Sequence, residues 1–197
     1  MARTSGSIGS KTAGVIRAQS LALFAQHGYA AVSMRMIADA VGVGASALYN
    51  HYPTKQTLLM ELLTGHMERL LVAWADQPKP KSPHDALEQF ARFHIRYHID
   101  KPDEVFLSYM ELRSLEPENF ATLDKLRRKY EGILSDILSQ FPQDDSKVTA
   151  MAILGMLTGA TTWYKPDGRL NAQEIEDIYA RLVLNCVGVP AKEPAHV

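Results

Sequence analysis

The stretch SMRMIADAVGVGASALYNHY, residues 33–52, decides the fold of this 197-residue chain. Ser33 is a candidate N-cap, and the apolar residues 36–38 (Met, Ile, Ala) begin a stripe with helical spacing. Gly42 interrupts that stripe, and a steep turn between two helices needs a residue that tolerates positive φ. The stretch therefore predicts two short helices joined by a tight turn.

The second of these helices has one apolar face and one outward face. Leu48 and Tyr52 lie about one helical turn apart and give the helix an inner side. Small or hydrogen-bonding, uncharged residues remain for the outer side: Ala45, Ser46, Tyr49 and Asn50. Such a surface suits a helix that lies in the DNA major groove. The alternative is an ordinary helical hairpin within an all-α domain.

The residues that follow favour the DNA interpretation. Thr54 is a candidate N-cap for the next helix, and Lys55 lies in its first turn. A lysine at a helix N-terminus is unfavourable for the helix dipole, but it is well placed if a phosphate docks there. The pair therefore predicts a phosphate contact.

Residues 15–63 resemble the DNA-binding domain of the TetR/AcrR family of bacterial transcriptional repressors. The matching segments are LALFAQHGY (21–29), Ser33, IADAVGV (37–43), LYNHY (48–52), and Lys55 with Leu58 and Leu59. The resemblance implies that bases are contacted by Ala45, Ser46, Tyr49 and Asn50, and phosphates by Ser33, His51 and Lys55. Arg35 is expected to reach either.

Gly44 belongs to the predicted DNA-binding set but departs from the family pattern. The family usually has Ser or Thr at this position, where the hydroxyl caps the recognition helix. Replacing that hydroxyl by glycine costs only a few tenths of a kcal/mol, so the helix itself is still expected. The departure bears on a phosphate contact rather than on the fold.

The resemblance also implies the architecture and the function. We expect an all-α chain of about nine helices, with a three-helix helix-turn-helix DNA-binding domain at 1–57 and a helical ligand-binding and dimerisation domain at 58–197. The implied function is that of a ligand-responsive repressor, a homodimer that binds palindromic operator DNA and is released by a small-molecule inducer.

The charge is distributed unevenly along the chain. Up to residue 57 the basic residues Arg3, Lys11, Arg17, Arg35 and Lys55 face one acid, Asp39, which gives 5 − 1 = +4. The remainder carries 16 − 21 = −5. The excess of basic residues, which attracts phosphate, therefore lies in the same part of the chain as the helix-turn-helix. A solvated charge bias without function is the alternative.

Composition indicates a soluble protein of the cytoplasm. The single cysteine, Cys186, cannot form an internal disulfide. No signal peptide is visible, and no stretch approaches the ~20 apolar residues of a membrane-spanning helix. We expect a cytoplasmic protein without a membrane association.

Helical spacing, prolines and caps predict the remaining elements. Residues 1–10 and the tail from Gly188 are expected to be loose. Arg3 and Lys11 make the N-terminal segment a candidate DNA-touching arm, and a loose terminus without a role is the favoured alternative. The predicted helices are one at 11–27, four at 55–74, five at 83–100, six at 103–114, seven at 118–140, eight at 145–165, and nine after the capping residue Asn171.

Helix eight contains AMAILGMLTGATTW, which is apolar or small nearly all round. A helix without a polar face must be covered on more than one side. We therefore expect it to pack on its own domain on one side and on a second subunit on the other. This predicts a homodimer through helices eight and nine.

Helices four to eight carry an unusual mixture of aromatic, methionine and polar side chains, which favours an apolar ligand cavity with a few polar anchors. The predicted ligand-binding residues are Trp74, His94, Tyr97, Tyr109, Met110, Arg113, Met156 and Trp163, with Met151 beside them. The alternative is that these side chains simply fill the core.

Two segments are similar to the acyl-CoA-responsive branch of the same family: TTWYKPDGRL at 161–170 and ELRSL at 111–115. The similarity implies an acyl-CoA thioester as the inducer. The alternative is that 161–170 only ends helix eight and adds a dimer contact.

His94 and His98 lie about one helical turn apart, a spacing that can present two imidazoles to one metal ion. No third ligand is evident, and no catalytic motif accompanies them. We therefore expect no enzyme activity, no metal and no cofactor. The rival hypothesis is a small helical enzyme or metal- or lipid-binding protein that uses these two histidines.

Overall fold

The computed structural model describes residues 5–142 and 144–188, and every regular element in that part of the chain is helical. The helices are α1 Ser5–His27, α2 Met34–Val41, α3 Ala45–His51, α4 Lys55–Ala75, α5 Pro83–His98, α6 Pro102–Met110, α7 Pro117–Leu138, α8 Ser146–Trp163 and α9 Ala172–Cys186, with a 3₁₀ turn at Leu112–Ser114. The predicted all-α class is thus confirmed. Arg3 and the tail beyond Gly188 lie outside the described residues.

Helix α1 begins at Ser5, so the prediction that residues 1–10 are loose was wrong for 5–10. The apolar pattern could not locate this start, because the segment SGSIGSKTAG (5–14) contains one large apolar residue, Ile8, and so shows no apolar periodicity.

Helix α6 ends at Met110 rather than at Ser114, and a 3₁₀ turn follows it. Glu111 leaves the helix with φ −99° and ψ 8°. Helical spacing continues through ELRSL, so the sequence did not reveal the break. The ends of α5, α7 and α8 agree with the prediction to within about two residues, which is the usual uncertainty of helix ends.

The described chain forms two compact units. The first comprises the chain up to Glu68 together with Asp103–Asp124, and the second comprises Arg69–Pro102 together with the chain from Lys125 onward. The functional boundary between residues 57 and 58 remains a prediction, because compactness alone does not show which residues bind DNA.

The first unit is built around α1 to α4. Each of its central aliphatic and aromatic side chains is fully buried, and each such burial stabilises the fold by about 1.5–3 kcal/mol. These side chains are Ile16, Phe24, Ile37, Leu48, Leu58, Leu59 and Leu63. Because these side chains come from all four helices, their packing holds α2 and α3 against α1 and α4.

The second unit is built around α5, which packs against α8 and α9. Ion pairs join α5 to α9. Arg92 bonds both Glu88 and Asp177, and Arg96 Nε donates to Glu176 Oε2 at 3.1 Å. The Arg92 guanidinium lowers the pKa of Asp177. Glu176 is only 4% exposed, and a buried carboxylate needs such a partner.

The N-terminus of α9 has a capping box at the predicted capping residue Asn171. The Asn171 side chain accepts from the Glu174 amide at 3.0 Å, and the Glu174 carboxylate accepts from the Asn171 amide at 2.8 Å. Two amides without partners inside the helix are satisfied in this way. Among the described residues, no helix is both long and apolar enough to cross a membrane.

Candidate nucleic-acid interface

Helix α2 starts at Ser33, as the sequence predicts. The Ser33 hydroxyl oxygen accepts from the Met36 amide at 3.2 Å. The hydroxyl hydrogen is a separate donor, so capping leaves Ser33 able to donate to a phosphate. The buried positions are Met34, Ile37 and Ala38, whereas Met36 is 40% exposed. The predicted stripe was therefore wrong at Met36, because Met34 lies one turn before Ile37 and Ala38 and faces the core with them.

The turn between α2 and α3 needs Gly42. This residue has φ 77°, in the left-handed region, and its amide donates to the last carbonyls of α2. Gly44 then takes the N-cap position of α3 with φ −67° and no side-chain bond. The expectation that Gly44 precedes α3 without a capping hydroxyl is confirmed, while its DNA contact remains a prediction.

Helix α3 buries Leu48 and exposes its other face. The residues on that face are Ala45, Ser46, Tyr49, Asn50 and His51, and Tyr49 is 49% exposed. Arg35 on α2 is exposed as well. The structure thus brings the predicted base-contacting residues together on one uncharged surface, which we call the recognition surface (Ala45, Ser46, Tyr49 and Asn50). Their contacts with DNA remain a prediction.

A polar brace fixes the end of α3, and sequence reasoning missed it. Tyr52 is 3% exposed, and its hydroxyl accepts from Arg17 Nη1 at 3.5 Å. The same nitrogen donates to Glu61 Oε1 at 2.7 Å, and these two hydrogen bonds raise the pKa of Arg17. Arg17 precedes Glu61 by 44 positions, so no local motif could have indicated the pair.

Lys55 is bound inside the first unit. Its Nζ donates to the carbonyl oxygens of Tyr29 at 2.8 Å and Val32 at 2.7 Å, and it lies 4.2 Å from the centroid of the Tyr29 ring. An ammonium has three donors, so two carbonyls leave one N–H for a phosphate. Desolvation lowers the pKa of Lys55, and the charge of Glu111 opposes that shift. The phosphate contact remains a prediction, and the loop contact is new.

The predicted ligand-binding residues fall into both units. Tyr109, Met110 and Arg113 belong to the first unit, where all three are exposed. The others belong to the second unit: Trp74, His94, Tyr97, Met156 and Trp163, with Met151. Within that unit the ring of Trp74 packs edge-on against Phe93 at 5.2 Å, while Met151 and Trp163 are each 52% exposed. Whether these residues bind a ligand remains a prediction.

His94 and His98 make contacts within the core. His94 is 3% exposed, with Nδ1 at 3.1 Å from the Tyr130 hydroxyl and Nε2 at 3.2 Å from Thr158 Oγ1. His98 Nδ1 donates to the His94 carbonyl at 2.9 Å. Both ring nitrogens of His94 and Nδ1 of His98 thus have protein partners. Across the described residues, no group of three or more His, Cys, Asp or Glu is placed to hold a metal ion.

Trp163 borders a groove of about 180 Å³ in the second unit. We call it the Trp163 groove, and its lining residues are Trp163, Tyr164, Lys165, Gly168, Arg169, Leu170 and Ile175. The Trp163 ring stacks with Tyr179 at 6.4 Å between centroids. An aromatic face and two basic side chains therefore share one opening.

Two family descriptions match the chain. "Bacterial regulatory proteins, tetR family" matches residues 16–62, and "Tetracyclin repressor-like, C-terminal domain" matches residues 80–187. The first match contains α2, α3 and the start of α4, and the second contains α5 to α9. Together they include the recognition surface and the Trp163 groove.

Similar proteins are regulators as well. The HTH-type transcriptional repressor KstR2 of Mycobacterium tuberculosis H37Rv is 25% identical over 194 residues, which is 93% of this chain and 96% of the relative. A tetR-family regulatory protein from Rhodococcus RHA1 has a TM-score of 0.84 at 28% identity, covering 92% of this chain and 99% of that one. AibR in complex with isovaleryl coenzyme A and operator DNA has a TM-score of 0.77 at 27% identity, covering 87% and 97%.

Replacing Lys55 or Tyr49 separates positioning contacts from sequence-specific ones. Lys55→Met should weaken binding and lower the salt slope by about 1, because one phosphate contact is lost. Tyr49→Ala should instead change the preference among sequences, since Tyr49 lies on the recognition surface. Gel shifts at several salt concentrations measure both effects. An unchanged slope for Lys55→Met would show that the lysine only braces its loop.

Proposed function

Because the chain belongs to the TetR family of bacterial regulatory proteins, we propose that it is a cytoplasmic, homodimeric transcriptional repressor that an acyl-CoA thioester releases from palindromic operator DNA. In this proposal residues 1–57 bind DNA, and residues 58–197 bind the ligand and dimerise. The observation that carries the proposal is the recognition surface of α3, which is exposed, uncharged and held by buried contacts on its inner side. Family membership places the chain among regulators rather than enzymes.

The recognition surface suits the major groove for two reasons. The hydroxyls of Ser46 and Tyr49 and the amide of Asn50 can exchange hydrogen bonds with base edges, and Ala45 is small enough for close approach. The surrounding charge supplies the attraction for the backbone, since the chain up to residue 57 carries 5 − 1 = +4 while the remainder carries 16 − 21 = −5. An acidic remainder also disfavours binding to DNA by any other part of the chain.

The homodimer of the proposal uses the outer face of α8 together with α9. Val148 and Met151 on α8 are 65% and 52% exposed, and Leu182 on α9 is 42% exposed. Gly155 and Gly159 continue this face of α8, and both have open space where a Cβ would lie. An apolar face without covering atoms is unfavourable in water, and glycines allow two helices to approach closely. A second copy of the chain would cover the face with a two-fold axis.

Two-fold symmetry determines the form of the operator. A symmetric dimer presents two copies of α3, and their half-sites must lie about one DNA turn apart. The operator should therefore be a palindrome or a near-palindrome. A monomer engages one half-site and binds more weakly.

The Trp163 groove is the proposed position for part of the inducer. An indole face can stack on a nucleotide base, and the nearby Lys165 and Arg169 can meet phosphates. Coenzyme A carries both groups. The complex of the similar protein AibR with isovaleryl coenzyme A supports this ligand class. The imidazole of His94, which contacts two hydroxyl groups, is a buried polar group inside the second unit.

The inducer must bind the conformation that does not hold DNA more tightly than the one that does. A release of about 100-fold requires about 2.7 kcal/mol of differential affinity. A change in the separation of the two α3 helices is sufficient, because half-sites have a fixed spacing. In the proposal α4 transmits this change, because it is one continuous helix from Lys55, the predicted phosphate contact, to Ala75, next to the predicted ligand residue Trp74.

Charging the outer face of α8 should break the dimer. Met151→Glu introduces two carboxylates into a symmetric apolar contact, where desolvation and repulsion disfavour them. We expect monomers in sedimentation velocity and weaker operator binding. Val72→Glu is the matched control, because Val72 is also an exposed apolar residue (62%, against 52% for Met151) but lies on α4. An intact dimer for Met151→Glu would place the interface elsewhere.

Removing the indole should separate DNA binding from release. A panel of acyl-CoAs that includes isovaleryl-CoA, with free CoA for comparison, is titrated against the protein–DNA complex in a gel shift. We expect Trp163→Ala to bind DNA like the parent but to need at least about tenfold more thioester for release, because a stacking contact is lost. Phe120→Ala, which removes another exposed ring (43%), should behave like the parent. If no thioester acts on the parent, the proposed ligand class is wrong.

A further inference from the structure

A buried carboxylate lies just after α6, outside the part of the chain that matches the helix-turn-helix family. Glu111 is 5% exposed, and its Oε1 accepts from the Tyr29 amide at 3.0 Å while its Oε2 accepts from the Ser114 hydroxyl at 2.6 Å. A carboxylate withdrawn from water needs such donors. Both oxygens are therefore committed, and one of them holds the loop between α1 and α2.

Gly28 turns the chain so that this contact can form. It ends α1 with φ +78°, a conformation that side chains rarely adopt, and a Cβ at this position would lie 3.6 Å from Glu111 Oε1. The next amide, that of Tyr29, is the one that donates to Glu111. The left-handed conformation of Gly28 thus directs the following amide toward the carboxylate of Glu111.

Tyr29 stands between two opposite charges. Its amide donates to Glu111, and its carbonyl accepts from Lys55 Nζ at 2.8 Å. The same ammonium holds the Val32 carbonyl at 2.7 Å, and Val32 directly precedes the N-cap Ser33. Hydrogen bonds to a charged group are stronger than neutral ones, and the two at Tyr29 hold the peptide groups on both sides of its Cα. Together with the Val32 bond they therefore fix the place at which α2 begins.

A second set of bonds joins the same two regions. The Gln56 side chain donates to the Ser114 carbonyl, and its oxygen accepts from Asn119 Nδ2 at 3.1 Å. The residues 111–119 thus hold the first turn of α4 as well as the loop after α1. All of these residues belong to the first compact unit.

We propose that Glu111 is a positioning residue for DNA binding, which acts through Tyr29 and Lys55 to hold α2 and α3 in the pose that the operator requires. The inference rests on the proposed DNA-binding function. It assigns a requirement for operator binding to a residue that lies 82 positions after Tyr29 and outside the matched residues 16–62. Its role is distinct from that of a DNA contact, because Glu111 is an acid and is buried.

The sign of the effect makes the proposal testable. Removing an acid from a DNA-binding protein should strengthen binding by general electrostatics. Glu111→Gln keeps the shape but removes the charge, and the proposal predicts the opposite result, a loss of at least about tenfold in affinity. Glu116→Gln is the matched control, because it makes the same charge change in the same segment at an exposed position. It should bind as well as the parent or better.

The probe is a duplex that the full-length parent selects from a random pool, and binding is measured by gel shift. If Glu111 acts through Lys55, adding Glu111→Gln to Lys55→Met should weaken binding by less than about threefold more. Thermal melting of each variant identifies loss of folding. If Glu111→Gln does not fold, Ser114→Ala removes one donor to the carboxylate and should still weaken binding.

Three results would overturn the proposal. The first is an operator affinity of Glu111→Gln that equals or exceeds that of the parent. The second is full additivity of the losses in affinity caused by Glu111→Gln and Lys55→Met. The third applies where Glu111→Gln does not fold, and is an affinity of Ser114→Ala equal to that of the parent. A parent that selects no duplex at all would instead overturn the proposed function, and this inference with it. The two failures are therefore distinguishable.

Discussion

The carbonyl oxygens of Tyr29 and Val32 hold the ammonium of Lys55, and the placement of the recognition surface depends on this contact. Hydrogen bonds to a charged donor are stronger than neutral ones, and Lys55 is half-buried, where water competes less for them. The contact ties the loop before α2 to the first turn of α4. Arg17, bonded to both Tyr52 and Glu61, ties the end of α3 to α1 and α4. The recognition pair is therefore held at both of its ends by a cation.

Local chemistry explains which parts of this arrangement were predictable from the sequence. Ser33 as a cap and Gly42 as a left-handed turn act on neighbours within a few residues, so the sequence alone placed α2, the turn and α3. The partners of Lys55 precede it by 23 and 26 positions, and Glu111 follows Tyr29 by 82, so no local motif indicated either contact. The early end of α6 was missed for a different reason, because helical spacing continues through residues 111–115 although the helix ends at Met110.

The predicted ligand residues illustrate the same limit. Aromatic and methionine side chains in a helical domain can fill a core or line a cavity, and composition does not distinguish the two. The structure shows His94 buried between two hydroxyls and Trp163 exposed beside a groove, so residues with one predicted role have two different environments. The exposed face of α8 was easier to anticipate, since a helix that is apolar all round must be covered on two sides.

The central claim is that the bonds to Tyr29 hold α2 and α3 in the position that DNA binding requires. Its most direct measurement is amide hydrogen exchange at Tyr29, followed by NMR in the free protein and in its complex with a selected duplex. Exchange reports the opening of the bond from this amide to Glu111. We expect the Tyr29 amide to be protected in the free protein and to exchange at least about tenfold more slowly when DNA is bound. A Tyr29 amide that exchanges as rapidly in the DNA complex as an unprotected amide would contradict this positioning role.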